Sequence, residues 1–224
     1  MNLYTQKAID GGATVVWDGS GDRMVDLGSS NVHGLPVNNA KTYQGAAKLN
    51  GADQYFSATD NAAIDVTNPW SIDVRFRIQA GGESNQRILS FPGHNVNTFW
   101  LTANTGVSSR INIQLRHAST LYRALANNAY VVGGDWSFTT IVFDGAALTV
   151  YVNGVDLTAA NASGNTESTS TIVMGKSGAD ASAYFRGWIG PVAIFPDTES
   201  TLAQHTTRMG YLNNPGSGGG GGGG

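Results

Sequence analysis

The sequence predicts an all-β fold, a two-sheet antiparallel sandwich with one short C-terminal helix, and three observations carry that reading. Trp136 to Leu157, WSFTTIVFDGAALTVYVNGVDL, spells three short strands and their turns. Phe138 to Phe143 is β-branched and aromatic, Asp144-Gly145 turns it, Leu148 to Val152 returns, and Asn153-Gly154 leads into Val155. Asn-Gly tolerates positive φ at both central positions, which matches the twist of paired strands and favours a tight type I′ hairpin. Second, Trp70, Ile72, Val74, Phe76 and Ile78 alternate with Ser71, Asp73, Arg75, Arg77 and Gln79, the period of a strand with one buried face. Each of those apolar side chains contributes roughly 1.5–3 kcal/mol on burial, so a one-residue slip in register is heavily penalised. Third, a helical period is visible in Thr198 to Tyr211, where Leu202, His205 or Thr206, Met209 and Leu212 recur before Pro215 blocks continuation.

The remaining elements follow in chain order. Met1 to Thr14 shows neither period, and Gly11-Gly12 separates it from the apolar run Val15-Val16-Trp17, so residues 1–14 read as an N-terminal arm. The stretch WDGSGDRMVDLGSSNVHG is rich in turn formers and reads as one short strand followed by loops. Further strands are expected at Ile88 to Phe91, Phe99 to Ala103, Ile111 to Leu115 and Leu121 to Leu125. Ile172 to Gly175 and Ile189 to Phe195 close the series. The sandwich then spans residues 15–212, and residues 213–224, ending in polyglycine, read as a flexible tail or linker; an extended glycine strand held by neighbouring chains is the alternative.

Composition narrows the function classes. Charged residues make up 13% of the chain, well below the roughly 25% of ordinary soluble domains, so Ser, Thr, Asn, Gln and Gly must supply the polar surface of a loop-rich β protein. A net charge of -3 and a pI near 5.7 provide no basic field for a phosphate backbone, so nucleic acid is not an expected partner. No cysteine is present, which removes disulfides, thiolate metal sites and cysteine nucleophiles together. The N-terminal residues lack the pattern of an export signal, and no run approaches ~20 apolar residues, so no membrane span is expected.

Two stretches carry a resemblance. Trp136, Phe143, Asp144, Gly145, Leu148, Tyr151, Asn153 and Gly154 match the pattern W-x-x-x-x-x-x-F-D-G-x-x-L-x-x-Y-x-(N/D)-G, which is similar to that of LamG-like jelly rolls in the concanavalin A-like lectin/glucanase superfold. Independently, Gln44 to Phe56, QGAAKLNGADQYF, resembles the G-x-A-L-x-F-(D/N)-G-x-x-(D/Q)-Y signature near the start of such domains. The resemblance covers roughly Val15 to Leu212 and implies a jelly roll with a short helix after the last strand.

It also implies activities against which the residues can be tested. Glucanases of the superfold use two carboxylates, typically E-x-D-x-(x)-E on one strand. Here the glutamates are Glu83, Glu167 and Glu199, none in that pattern, and Asp73 has Arg75 and Arg77 as its neighbours on its face of the strand, which suits it poorly to general acid work. An enzyme is not expected. Gly175-Lys176-Ser177 lacks the earlier glycine of a phosphate loop, and His33, His94, His117 and His205 show no pair at ligand spacing. Many LamG-like domains bind calcium at one rim, and Asp60, Asn61 and Asp65 are the calcium candidates that the resemblance suggests; turn capping accounts for the same residues without a metal. No other cofactor is expected.

Two further sets of residues are candidates for binding. If the Trp70 and Ile111 strands share a sheet, Asp73, Arg75, Arg77, Arg110, Asn112, Gln114 and Arg116 form one polar, arginine-bearing face suited to carboxylates, sugar hydroxyls or an acidic protein surface. A solvated face with weak cross-strand ion pairs is the alternative. The arm offers Leu3, Tyr4 and Ile9 for contact with another subunit. A cysteine-free lectin-type domain with an arm and a glycine tail suits a non-enzymatic structural or adhesive component of a bacteriophage virion: a capsid decoration, head-fibre or tail protein. Its expected partners are other virion proteins, copies of itself in a homo-oligomer such as a trimer, and host-surface glycan. The alternative is an extracellular or cell-surface carbohydrate-binding module of a bacterial protein.

Overall fold

A computed structural model of the chain describes residues 3–20, 23–28, 33–43, 45–58, 69–91, 98–104, 109–117, 120–130, 132–158, 172–177, 182–196, 198 and 200–213. The calcium candidates Asp60, Asn61 and Asp65, and the glycine tail from residue 214, lie outside these residues.

Two antiparallel sheets face each other. The first contains β1 (Val15–Ser20), β2 (Arg23–Asp26), β4 (Lys41–Tyr43), β5 (Ala46–Asn50), β7 (Trp70–Ile78), β12 (Ser137–Phe143), β13 (Leu148–Val152), β14 (Val155–Asp156) and β16 (Arg186–Phe195). Its order is β14-β13-β12-β7-β16-β1-β2, with β5 pairing β16 beside β1 and β4 pairing β5. The second contains β3 (Leu35–Val37), β6 (Tyr55–Ala58), β8 (Asn85–Phe91), β9 (Thr98–Asn104), β10 (Arg110–His117), β11 (Thr120–Ala126) and β15 (Ile172–Met174), in the order β11-β10-β9-β8-β15-β6-β3. This is the jelly-roll sandwich that the patterns predict. Asn153 and Gly154 take φ of 49° and 84° between β13 and β14, the geometry expected of an Asn-Gly hairpin.

The alternation within β7 places Trp70, Ile72, Val74, Phe76 and Ile78 in the core between the sheets. Trp70 meets Phe99 of the opposite sheet edge to face, with centroids 5.5 Å apart, and Phe143 meets Tyr122 at 5.1 Å. Such pairs are worth about 0.5–1.5 kcal/mol beyond the area they bury.

The outer face of the first sheet is partly covered by two helices, α1 (Leu3–Asp10) and α2 (Leu202–Asn213). The second begins later than the helical period suggests because Thr201 and Gln204 form a capping box: Gln204 Oε1 accepts from Thr201 N at 2.8 Å and Thr201 Oγ1 accepts from Gln204 N at 3.3 Å. The N-terminal residues, expected to be an arm reaching a neighbouring subunit, instead form α1 and pack on their own chain. Tyr4, Ala8 and the partly buried Ile9 join Val16, Phe138, Ala193, Phe195 and Leu212 in a second apolar cluster, while Leu3 is half-buried. Tyr4 is wholly inside the chain and has nothing left to offer a partner.

Candidate functional site

The face proposed from sequence does not exist as one surface. β7 and β10 lie in different sheets, so Asp73, Arg75 and Arg77 are separated by the sandwich from Asn112, Gln114 and Arg116. Alternation along a strand reports which residues share a side, and is silent on which sheet the strand joins.

Asp73 is moreover buried, with no exposed surface. Its Oδ2 accepts from Tyr4 Oη at 3.0 Å and from Arg208 Nε at 2.6 Å, and its Oδ1 accepts from Thr140 Oγ1 at 2.6 Å and Arg208 Nη2 at 3.1 Å. A buried carboxylate needs this much donation to remain charged. His205 extends the network. Its Nε2 accepts from Gly154 N at 3.0 Å, so the ring proton sits on Nδ1 and is donated to Thr140 Oγ1 at 2.7 Å. Burial, with a smaller contribution from Arg208, lowers the His205 pKa to about 4 against the opposing pull of Asp73. Burial first, then the Asp73 charge, pushes the Tyr4 phenol well above its usual value. Sealed beneath two helices, these groups bind structure together and are not a site for ligand. Arg75 stacks on Trp136 at 4.4 Å and Arg77 Nε donates to Gly134 O at 2.8 Å.

On the outer face of the second sheet the geometry is different. Cross-strand register aligns Arg87, Thr102 and Asn112 in one row and Ser90, Trp100, Gln114 and Arg123 in the next. With the loops around Glu83 and Ser182, all of these but Ser90 line a concavity of about 580 Å³. Its floor is Trp100, with the Arg87 guanidinium over the ring at 5.5 Å; both are almost fully buried. In its wall Arg123 Nε donates to Asn112 Oδ1 at 3.0 Å, while Gln114 Oε1 is withdrawn from solvent and accepts no hydrogen bond among the described residues. At the rim Glu83 Oε2 accepts from Ala183 N at 3.0 Å, tying the two loops together. Arg116 projects from the same face as an exposed residue beyond the concavity, and Arg110 Nε donates to Asn127 Oδ1 at 2.9 Å.

Asn112 and Gln114 are thus the candidates the structure brings together. Sequence reasoning missed Arg87, Trp100 and Arg123. Trp100 was legible in principle, since it alternates with Phe99, Leu101 and Ala103, whereas the register shift between Arg87 and Leu89 scrambles the alternation that would have turned Arg87 outward. Among the described residues no cluster of His, Cys, Asp and Glu assembles a metal site, and no helix is long and apolar enough to cross a membrane.

Residues 50–201, more than half the chain, match the family model described as the concanavalin A-like lectin/glucanases superfamily. No curated protein matches in sequence. Among solved structures, the botulinum neurotoxin serotype D binding domain superposes with a TM-score of 0.67 at 16% identity, over 92% of this chain and 53% of that one. The chain therefore spans about half the length of that binding domain. Domain 4 of an extracellular arabinanase from Geobacillus stearothermophilus, solved with arabinotriose, superposes with a TM-score of 0.56 at 17% identity, over 88% of this chain and 98% of that one. The Ruminococcus gnavus IT-sialidase CBM40, bound to α2,3-sialyllactose, does so with a TM-score of 0.54 at 12% identity, over 72% and 96%. At these identities the likeness is one of fold.

Proposed function

The chain belongs to the concanavalin A-like lectin/glucanase superfamily, and from that premise we propose that it is a non-catalytic domain that binds an oligosaccharide in the concavity of the second sheet. The observation that carries the reading is one concavity in which the Arg87 guanidinium, seated on Trp100, lies with the Gln114 acceptor, which has no hydrogen bond among the described residues. A sugar presents a fringe of hydroxyls, and this site offers amides and two guanidinium forks, one of them seated on the Trp100 ring. Hydrolysis would need a pair of carboxylates across the bond, and Glu83 is the single acid among the described lining residues.

The finer setting we propose is a bacteriophage particle surface, where such a site meets host-surface glycan. Its support is compositional, a cysteine-free lectin-type chain of low charge, and the docking of α1 on its own sheet removes the arm from that argument. A second reading, a binding module of a larger surface or secreted bacterial protein, is favoured by the arabinanase and sialidase domains, which the fold matches over nearly their whole length. Mass spectrometry of purified particles from the source organism separates the settings: the chain is expected among the virion proteins, and its absence from every particle refutes the first. A glycan array probed with the purified protein tests the site itself. Retention of a glycan by the wild type and its loss in Trp100→Ala and Gln114→Ala are expected; a signal unchanged in both variants refutes the concavity as the site.

A further inference from the structure

The helices leave part of the first sheet's outer face bare, and there the register builds a row of another kind. Lys41 lies opposite Lys48, Lys48 opposite Trp188, and Trp188 opposite Arg77, so one line across β4, β5, β16 and β7 reads Lys, Lys, Trp, Arg. Like charges directly opposite one another destabilise a strand pair, yet Lys41 and Lys48 stand so, both exposed. Among the described residues neither lysine makes an ion pair. An aromatic ring positions two charges of the row: Lys48 Nζ lies 5.8 Å and Arg77 Cζ 5.3 Å from the Trp188 centroid. Arg186 stands on the same side one row away, beside Asn50, and its Nη1 donates to the carbonyl of Gly81 at 3.1 Å; among the described residues it too makes no ion pair. Lys41, Lys48 and Arg186 share a concavity of about 460 Å³ whose described lining residues include no acid. Asp53, in the adjoining turn, is engaged by Asn50 Nδ2 at 2.7 Å.

We propose that this row is a second binding site, for a linear anionic polysaccharide carrying carboxylate or sulfate groups, on the opposite face of the sandwich from the Trp100 concavity and independent of it. Strand spacing sets the geometry. Lys41 and Lys48 are one strand apart, about 5 Å, and Lys48 and Arg77 are two apart, about 10 Å, the repeat of a chain charged on each or on every second sugar. A tryptophan that holds two cations by its π face lowers the ordering cost of binding, because the charges are in place before the ligand arrives. Nucleic acid fits less well. Duplex DNA carries a charge about every 1.7 Å of its axis, and most of those charges would face a chain whose net charge is -3.

The test uses the full chain and four probes at about 50 mM salt, where screening is weak: oligogalacturonate, dextran sulfate, neutral dextran and a DNA duplex. The wild type is expected to bind at least one of the two anionic polysaccharides, which then identifies the anion, and not neutral dextran. Lys41→Gln/Lys48→Gln should bind at least about tenfold more weakly, with shallower salt dependence, while melting no lower than the wild type, since a repulsion is removed. Trp188→Leu should weaken binding too. Trp100→Ala should leave this affinity unchanged, which separates failure here from failure of the concavity reading. Binding of neither polysaccharide, equal binding in the double lysine variant, or a duplex bound as tightly as the polysaccharide would each overturn the proposal.

Discussion

Replacing Asp73 with Asn tests whether the terminal helices are structural parts of the sandwich. The side chain keeps its shape and loses its charge, so Arg208, with 11% of its side chain exposed, is left facing a neutral amide. Truncating one partner of a buried pair costs about 3–5 kcal/mol. Arg208 sits at the edge and can partly rehydrate, and the amide oxygen still accepts from Thr140 or Tyr4, so the lower end, about 3 kcal/mol, is expected. For a chain of this size each kcal/mol moves the midpoint by about 2–4 °C, which places the Asp73→Asn transition about 6–12 °C below wild type. A double-mutant cycle with Arg208→Met should show a coupling above about 1 kcal/mol between the two positions. A melting point within 2 °C of wild type, a margin of about one fold-stabilising contact or less, or additive losses in the cycle, would refute the claim that Asp73 is buried beneath α1 and α2.

Two further outcomes follow from the same region. His205 has its pKa depressed from 6.5 to about 4, so the unfolded chain takes up a proton that the native chain refuses; stability from this group is complete above pH 6.5, falls as pH drops, and is lost by pH 4. The slope is about 1.4 kcal/mol per pH unit. Urea midpoints compared across that window should converge between wild type and His205→Gln as pH falls, and a constant difference would contradict the neutral, Nδ1-protonated ring. Deleting residues 1–12 should lower the thermal midpoint, because Val16, Phe138 and Phe195 lose the cover of Tyr4 and Ala8; an unchanged midpoint would return those residues to the role of an arm.

What the sequence made legible was local. The Asn153-Gly154 hairpin and the inward face of β7 are written in turn chemistry and period two, and both hold in the structure. Which strands share a sheet depends on contacts far apart in the chain, and that is why Asp73 and Gln114 looked like neighbours. Burial by a helix leaves no mark on the covered strand either. Ser71, Asp73 and Thr140 are polar in the manner of a solvated face, yet each is fully buried, Asp73 and Thr140 against the helices and Ser71 against Thr198 and Ser200 just before α2. α1 itself is only two turns long, too short to form on propensity alone, and its order comes from Tyr4 and Ala8 packing on the sheet. Asn112 and Gln114 were legible and Trp100 could have been read from its alternation, whereas the bulge hid Arg87.

The central claim is that the outer face of the second sheet holds a sugar. Nuclear magnetic resonance reads it directly, because the side-chain amides of Asn112 and Gln114 and the indole N–H of Trp100 give separate signals at the candidate site. Titration with arabinotriose, α2,3-sialyllactose and the glycans retained on the array should shift those three signals in a saturable way for at least one ligand, and leave the Trp188 indole unmoved by a neutral one. Saturable shifts confined to other residues, or no shift with any of these sugars, would contradict it.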